Sequence, residues 1–207
     1  MGASGKCFGR GMRRCGVIAA LGMLAYPFSG VRGQCTPEWL TGWGVPGLDG
    51  VAYSAAMWDP DGPGPQRAKV VIGGGFSVAG STLASRVAVW DNKLQQWSGL
   101  GGGLNDAVYA LAALPNGDLI AGGVFTHAGT IPVNRIAKWN GAVWTPLGDG
   151  MDGVVQALAV SSAGDVIAGG YFTAAGGQPA RFIARWGGQA WGSMGAGMNA
   201  YVLALCA

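Results

Sequence analysis

A chain of 207 residues, half of them hydrophobic, is long enough to bury a core and too apolar to remain disordered. Forty glycines with no collagen period, nine tryptophans and only 11 % charged residues argue for short, well-packed strands between tight turns rather than for helices. The formal charge of +3 does not indicate a nucleic-acid partner, because Lys6, Arg10, Arg13, Arg14 and Arg32 all lie in the first 33 residues; without them eight cations face ten carboxylates, a net −2.

The first predicted element, residues 1–33, is a secretory signal peptide. Lys6, Arg10, Arg13 and Arg14 precede an apolar run from Gly16 to Phe28, which is followed by the small residues Ser29, Gly30 and Gly33. That run is shorter than the roughly 20 apolar residues a spanning helix needs. Val31 and Gly33 suit a cleavage site and make Gln34 the mature N-terminus, with an uncleaved membrane anchor as the alternative. The residues before Cys35 do not form a lipid-attachment sequence. The expected location is therefore secreted or at the cell envelope, extracellular or periplasmic, with no stable membrane insertion after cleavage. Cys7 and Cys15 leave with the signal. Cys35 and Cys206 remain, and an oxidising compartment would let them join the two ends; alternatively Cys206 is simply a small buried residue. No CxxC or Cys/His cluster points to a metal, and no cofactor is expected.

Residues 34–47, with Trp39 and Trp43, supply a candidate outer strand of a shared blade. Three copies of one repeat follow, over 48–101, 102–148 and 149–195, and 196–207 opens a fourth. Phe125 and Phe172, Trp139 and Trp186, and Trp144 and Trp191 are each 47 residues apart. Within the second copy four strands are predicted, Val108–Leu114, Leu119–Phe125, Arg135–Asn140 and Ala142–Leu147. Asn116-Gly117 and Asn140-Gly141 mark its tight turns, as Ala163-Gly164 and Gly187-Gly188 do in the third copy. Four antiparallel strands per repeat give an all-β fold, a β-propeller of four-stranded blades. Three blades and one opening strand are fewer than the usual four to eight, which leads us to expect an incomplete or C-terminally truncated ring, or ring closure by several chains.

Each copy carries a Gly-Gly pair and two tryptophans: Gly74-Gly75 with Trp90 and Trp97, Gly122-Gly123 with Trp139 and Trp144, and Gly169-Gly170 with Trp186 and Trp191. This pattern resembles the kelch-type propeller repeat, with Trp in place of the more usual Tyr. Over residues 36–207 it is similar to the Gly- and Trp-rich propeller repeats secreted by environmental bacteria. The kelch resemblance includes a copper oxidase family with Tyr and His ligands, but the single His127 cannot supply that site. In physical terms the glycines permit close approach of neighbouring backbones, and the indoles, at about 150–250 Å² each, fill the space between blades. The same indoles could instead line a sugar-binding groove.

Candidate chemistry is sparse. His127 stands alone in a loop, without a nucleophile or an orienting partner. Asp118 and Asp165, and Asp106 and Asp152, recur with the blades, so turn hydrogen bonding explains them better than acid/base catalysis. The WDPDGPG loop, with Asp59 and Asp61, breaks the repeat; it reads as a solvated hairpin, with Ca²⁺ binding as the rival. Arg86 and Arg135 lie four residues before Trp90 and Trp139, so on an extended strand each shares a face with its Trp, as a cation–π element or as the partner of an anionic glycan. Trp90, Trp139, Trp186, Arg86 and Arg135 are thus the candidate ligand-binding residues, and no catalytic, cofactor or metal residues are expected. The sequence reads as a non-catalytic binding or interaction scaffold for a protein or glycan ligand. The alternatives are a carbohydrate-binding lectin, and a fragment of a larger propeller enzyme whose catalytic residues lie elsewhere.

Overall fold

The computed structural model describes residues 47–206. The expected signal peptide, the candidate outer strand up to Pro46, and Cys35 lie outside the described residues. Among those described, all regular structure is β, and no helix is long and apolar enough to cross a membrane.

The first repeat contains β1 (Ala52–Trp58), β2 (Lys69–Gly74), β3 (Val78–Ala79), β4 (Thr82–Leu83), β5 (Val87–Asp91) and β6 (Gln96–Gly99). The second contains β7 (Val108–Ala113), β8 (Leu119–Gly123), β9 (His127–Ala128), β10 (Ile131–Pro132), β11 (Ile136–Trp139) and β12 (Trp144–Pro146). The third contains β13 (Val154–Val160), β14 (Val166–Tyr171), β15 (Ala174–Ala175), β16 (Gln178–Pro179), β17 (Ile183–Trp186) and β18 (Trp191–Ser193). Each repeat folds into a four-stranded antiparallel sheet, in the orders β1-β2-β5-β6, β7-β8-β11-β12 and β13-β14-β17-β18. A two-stranded hairpin, β3–β4, β9–β10 or β15–β16, is inserted between the second and third strands of each sheet. Three successive four-stranded sheets are the expected blades, and they do not close into a ring.

The core lies between sheets and not within them. One cluster joins Trp58, Val71, Val87 and Val89 of the first sheet to Leu119, Ala121, Ala137, Trp139 and Trp144 of the second. The next joins Ala112, Ile120 and Ile136 of the second to Val155, Val166, Ala168 and Trp191 of the third. Period-two alternation makes this arrangement work, because it gives each strand one set of side chains for the preceding blade and one for the following blade. The second strand of the middle blade, β8, is accordingly buried along its whole length.

The opening strands β1, β7 and β13 pack side by side and form the inner edge of the array. A bulge shifts the register in each, between Ala52 and Ser54, Val108 and Ala110, and Val155 and Ala157. The Gly-Gly pairs make this inner packing possible, and in the first blade the pair equivalent to Gly122-Gly123 is Gly73-Gly74, one residue before the expected Gly74-Gly75. A Cβ on Gly122 would sit 2.5 Å from Cγ1 of Val155, and Gly73 stands in the same relation to Val108. Residues 201–206 form no ladder among the described residues and leave Cys206 exposed where burial was the alternative expected, yet a Cβ on Gly169 would sit 2.5 Å from Cγ1 of Val202.

The first-hairpin turns are tighter in one respect than the sequence suggests. In the second blade Leu114 N–H donates to Asp118 O, and Gly117 N–H donates to Leu114 O, which leaves a three-residue loop. Only Gly117 adopts positive φ, at 89°, while Asn116 keeps a negative φ and braces Asp118 through its side chain. Asn140 likewise stands before its bend, with its Oδ1 accepting from the amides of Ala142 and Val143.

Candidate functional site

Tandem blades use their side chains for one another first, so a binding site is sought among groups this packing leaves over. The tryptophans are largely committed. Trp139 and Trp144 are 5 % and 3 % exposed, their rings 5.4 Å apart and tilted by 53°. Trp144 Nε1 donates to Leu100 O of the preceding repeat at 2.9 Å, and Trp191 Nε1 donates to Leu147 O at 2.8 Å. Trp186 is half-buried and lies 5.5 Å from Trp191; Trp90, also half-buried, lies 5.1 Å from Trp97. A sugar would reach the Trp139 ring only by opening the interface between the first two blades. Its Nε1 is buried without an acceptor.

Arg86 and Arg135 do not share a strand face with Trp90 and Trp139. Each sits one residue before its strand in the left-handed region, at φ 67° and 61°, and Phe182 occupies that place in the third blade at φ 62°. For non-glycine residues this conformation costs about 1–2 kcal/mol. The surrounding backbone holds it in every blade. Arg135 N–H donates to Phe125 O while its carbonyl accepts from Gly123 N–H; Arg86 is tied to Phe76 and Gly74, and Phe182 to Phe172 and Gly170, in the same way. The guanidinium of Arg86 donates to Phe76 O and Ser77 Oγ, and that of Arg135 to Met151 O. The positive φ breaks the alternation on which an Arg–Trp pairing depended. The five candidate ligand residues are therefore spread over three blades and are not gathered into one site.

At the end of the array carrying β3–β4, β9–β10 and β15–β16, a side-chain clamp recurs. Asp49 Oδ1 accepts from the amides of Ser77 and Val78, Asn105 Oδ1 from Thr126 and His127, and Asp152 Oδ1 from Thr173 and Ala174. The repeat equivalent of Asp152 is thus Asn105 and not Asp106. His127, beside this clamp, is exposed and its Nδ1 lies 3.1 Å from Thr126 Oγ1. The amides of Val78 and Ser77 hold the Asp49 carboxyl below its ordinary value of 3.8. Burial pushes Asp152 up, but the Thr173 hydroxyl and the amides of Ala174 and Thr173 outweigh it and bring the group below 3.8 as well. A lowered folded-state value means that the clamp contributes fully above that pH and loses its contribution as pH falls through the lowered value. Asp152→Asn, which copies Asn105, is expected to flatten this acid dependence. Urea midpoints at neutral pH and at about pH 3 should differ less in the variant than in the wild type; equal losses in the two proteins would refute the clamp's titration.

The opposite end carries the first hairpins and the β5–β6, β11–β12 and β17–β18 turns. Two blades keep three-residue first hairpins, but the first blade has ten residues between the paired Trp58 and Lys69. This long hairpin is packed, not freely solvated. Trp58 Nε1 donates to Gly117 O at 2.7 Å, and the backbones of Pro60 and Gly62 press against Pro115 to Gly117 of the next blade. Burial, then the hydrogen bond that a protonated Asp59 can donate to the neighbouring Asp61, raises the Asp59 carboxyl above its ordinary value. Among the described residues no three His, Cys, Asp or Glu side chains gather as a metal set.

Between this hairpin and the β5–β6 turn lies a cleft of about 570 Å³, lined by Pro65, Gln66, Arg67, Lys69, Asn92 and Lys93 among others. Lys69 pairs with Asp91 at 3.1 Å. Asp91 also accepts from the amides of Lys93 and Leu94, and its carboxyl is lowered chiefly by the Leu94 amide and then by Lys69. Arg67 and Lys93 are exposed and form no ion pair among the described residues.

The Rax2 C-terminal beta propeller domain matches residues 63–200, well over half of the chain and all but the opening strand of the three sheets. The chain belongs to this family. No curated protein matches it. Like other β-propellers, the Rax2 C-terminal propeller domain is in general terms a protein-interaction scaffold, and the blade packing described above is the physical basis of that role: rigid sheets present hairpin ends that are free to vary.

Proposed function

We propose that the chain is a secreted, non-catalytic binding scaffold that engages its ligand through the hairpin end of the first blade. The observation that carries this reading is the confinement of the ten-residue hairpin and its cleft to one blade, while the side chains common to all blades are spent on the junctions. Binding groups reside on what differs between repeats, because what is shared is needed everywhere for packing. The kelch-like, secreted Gly- and Trp-rich character of the repeat belongs to the same proposal, supported by the Gly-Gly pairs and paired indoles. The basic stretch and apolar run of residues 1–33 support export. The partner is a protein or glycan met outside the cell, with neither nucleic acid nor membrane as target.

Protein exported from a heterologous host is expected to begin at Gln34 by intact mass; retention of Met1–Gly33 would refute the signal. The exported protein, immobilised and exposed to a defined panel of extracellular proteins and glycans, is expected to retain ligand and to release it with its mass unchanged. Exchanging residues 59–68 for Pro-Asn-Gly, the loop of the second blade, should abolish that retention. A ligand returned cleaved or oxidised would overturn the non-catalytic reading.

A further inference from the structure

We infer that the first-blade cleft binds an acidic oligosaccharide, its carboxylates held by Arg67 and Lys93 and its hydroxyls by Gln66 and Asn92. This inference rests on the scaffold reading and names the ligand class of the same site. Residues 47–206 contain eight Lys and Arg, and three of them, Arg67, Lys69 and Lys93, line this one cleft. The local charge is also inverted relative to the other blades. Where the second strand begins, the later blades place Asp118 and Asp165, each neutralised by its own cation, Lys138 at 3.3 Å and Arg185 at 2.8 Å. The first blade places Lys69 there, and its single carboxylate partner, Asp91, is already occupied by that lysine and by two amides. Arg67 and Lys93 are left over as uncompensated cations on either side of the opening.

Both are held on braced backbone. Asp61 Oδ2 accepts from Gln66 N–H at 3.2 Å, which fixes the chain next to Arg67. The turn carrying Lys93 is closed by Gln95 N–H to Asp91 O at 2.8 Å and by Gln95 Nε2 to Asn92 O at 2.7 Å. Asp91 lines the cleft as well, but its Oδ2 pairs with Lys69 and its Oδ1 accepts from two amides, and the nearby Asp61 turns its Oδ2 to the Gln66 amide. Little backbone ordering entropy therefore remains to be lost when an anion binds, and the cost is that of fixing the two long side chains. A guanidinium fork grips a carboxylate in two parallel hydrogen bonds, and an ammonium supplies a compact second charge. The remaining chemistry selects among anions. The amides of Gln66 and Asn92 each offer donors and an acceptor, the complement of sugar hydroxyls. No aromatic ring lines the cleft, so it lacks the Trp or Tyr anchors on which protein hot spots are built. A volume of about 570 Å³ falls in the range of small-ligand sites, about 300–1,000 Å³.

The test is calorimetric titration of the whole exported chain at low ionic strength with four probes: trigalacturonate, the neutral galactotriose, sodium sulfate and a triglutamate peptide. Trigalacturonate is expected to bind, with affinity falling as salt rises toward about 0.15 M, and to bind at least about tenfold more tightly than the other three, since each paired carboxylate adds a charge-assisted hydrogen bond. Arg67→Gln combined with Lys93→Gln should weaken it by about tenfold or more, while Lys138→Gln in the second blade leaves it unchanged, and matched thermal unfolding of all variants shows that the fold is kept. Equal binding of galactotriose would overturn the role of charge. Equal binding of sulfate would reduce the cleft to a general oxyanion site, and equal binding of triglutamate would make it a peptide site; either overturns the assignment, as would an unbound trigalacturonate or an unaffected double variant. The scaffold reading fails separately, through a ligand returned chemically altered or a loop exchange that leaves retention intact.

Discussion

Trp144→Ala is expected to lower the unfolding free energy by about 3–5 kcal/mol, among the largest losses any single position in this chain should give. The indole lies at the junction of the first two blades, 3 % exposed and packed with Trp139, Leu100 and Val89 in one cluster. Truncation removes its contacts on both sheets and the hydrogen bond its Nε1 donates to the Leu100 carbonyl across the junction, which leaves that carbonyl only the Gly103 amide. Trp144→Phe and Trp139→Phe separate the two contributions. Trp139 Nε1 has no acceptor to lose, so Trp139→Phe should cost only its packing, whereas Trp144→Phe should cost about 0.5–1.5 kcal/mol more for the lost cross-junction hydrogen bond, the Leu100 carbonyl keeping the Gly103 amide as a donor. Urea unfolding followed by far-ultraviolet circular dichroism measures all three. A loss below about 1 kcal/mol for Trp144→Ala, within the range of ordinary surface changes, would show that the indole is not part of a buried junction.

The second large effect concerns the inner radius of the array. Gly122→Ala should cost about 1–3 kcal/mol, because its new methyl would meet Cγ1 of Val155 at 2.5 Å in a packed interface. Val155→Ala alone should cost a similar amount by opening a cavity. Together they should cost less than the sum by about 1 kcal/mol or more, since the second change makes room for the first. Costs that simply add, to within about 0.5 kcal/mol, would mean that β8 and β13 do not meet in this register.

The residues that were easy to read in the sequence are those whose signal is local or repeated. Alternation in Val108–Ala113 and the Asn-Gly and Gly-Gly turns mark strands directly, and the recurrence of Phe125 and Trp144 in Phe172 and Trp191 fixes the four-strand blade. What escaped was either very short or set by tertiary contact. The hairpins β3–β4, β9–β10 and β15–β16 have two-residue strands, too brief to show any period. The left-handed backbone at Arg86, Arg135 and Phe182 has no propensity signature, because these are not residues that favour it; only the reciprocal bonds to Phe76, Phe125 and Phe172 impose it. The equivalence of Asn105 with Asp152 was masked by the adjacent Asp106. As for the cleft, WDPDGPG is legible as a break in the repeat, but nothing local marks Arg67, a lone cation beyond the acidic part of that loop. Lys93 reaches the same opening only because β2 and β5 pair Val70 with Trp90, a register that no local pattern encodes.

The packing of each blade into its successor has a consequence for how such chains change over time. Cores that straddle two sheets make the junction, not the sheet, the unit that selection preserves, and the junctions of this chain use the same valine-against-glycine and indole-to-carbonyl contacts each time. Gain or loss of one 47-residue segment would leave every remaining junction with chemically equivalent partners. Recombination between copies is therefore nearly neutral for packing, and the number of blades can drift while each hairpin end diverges on its own.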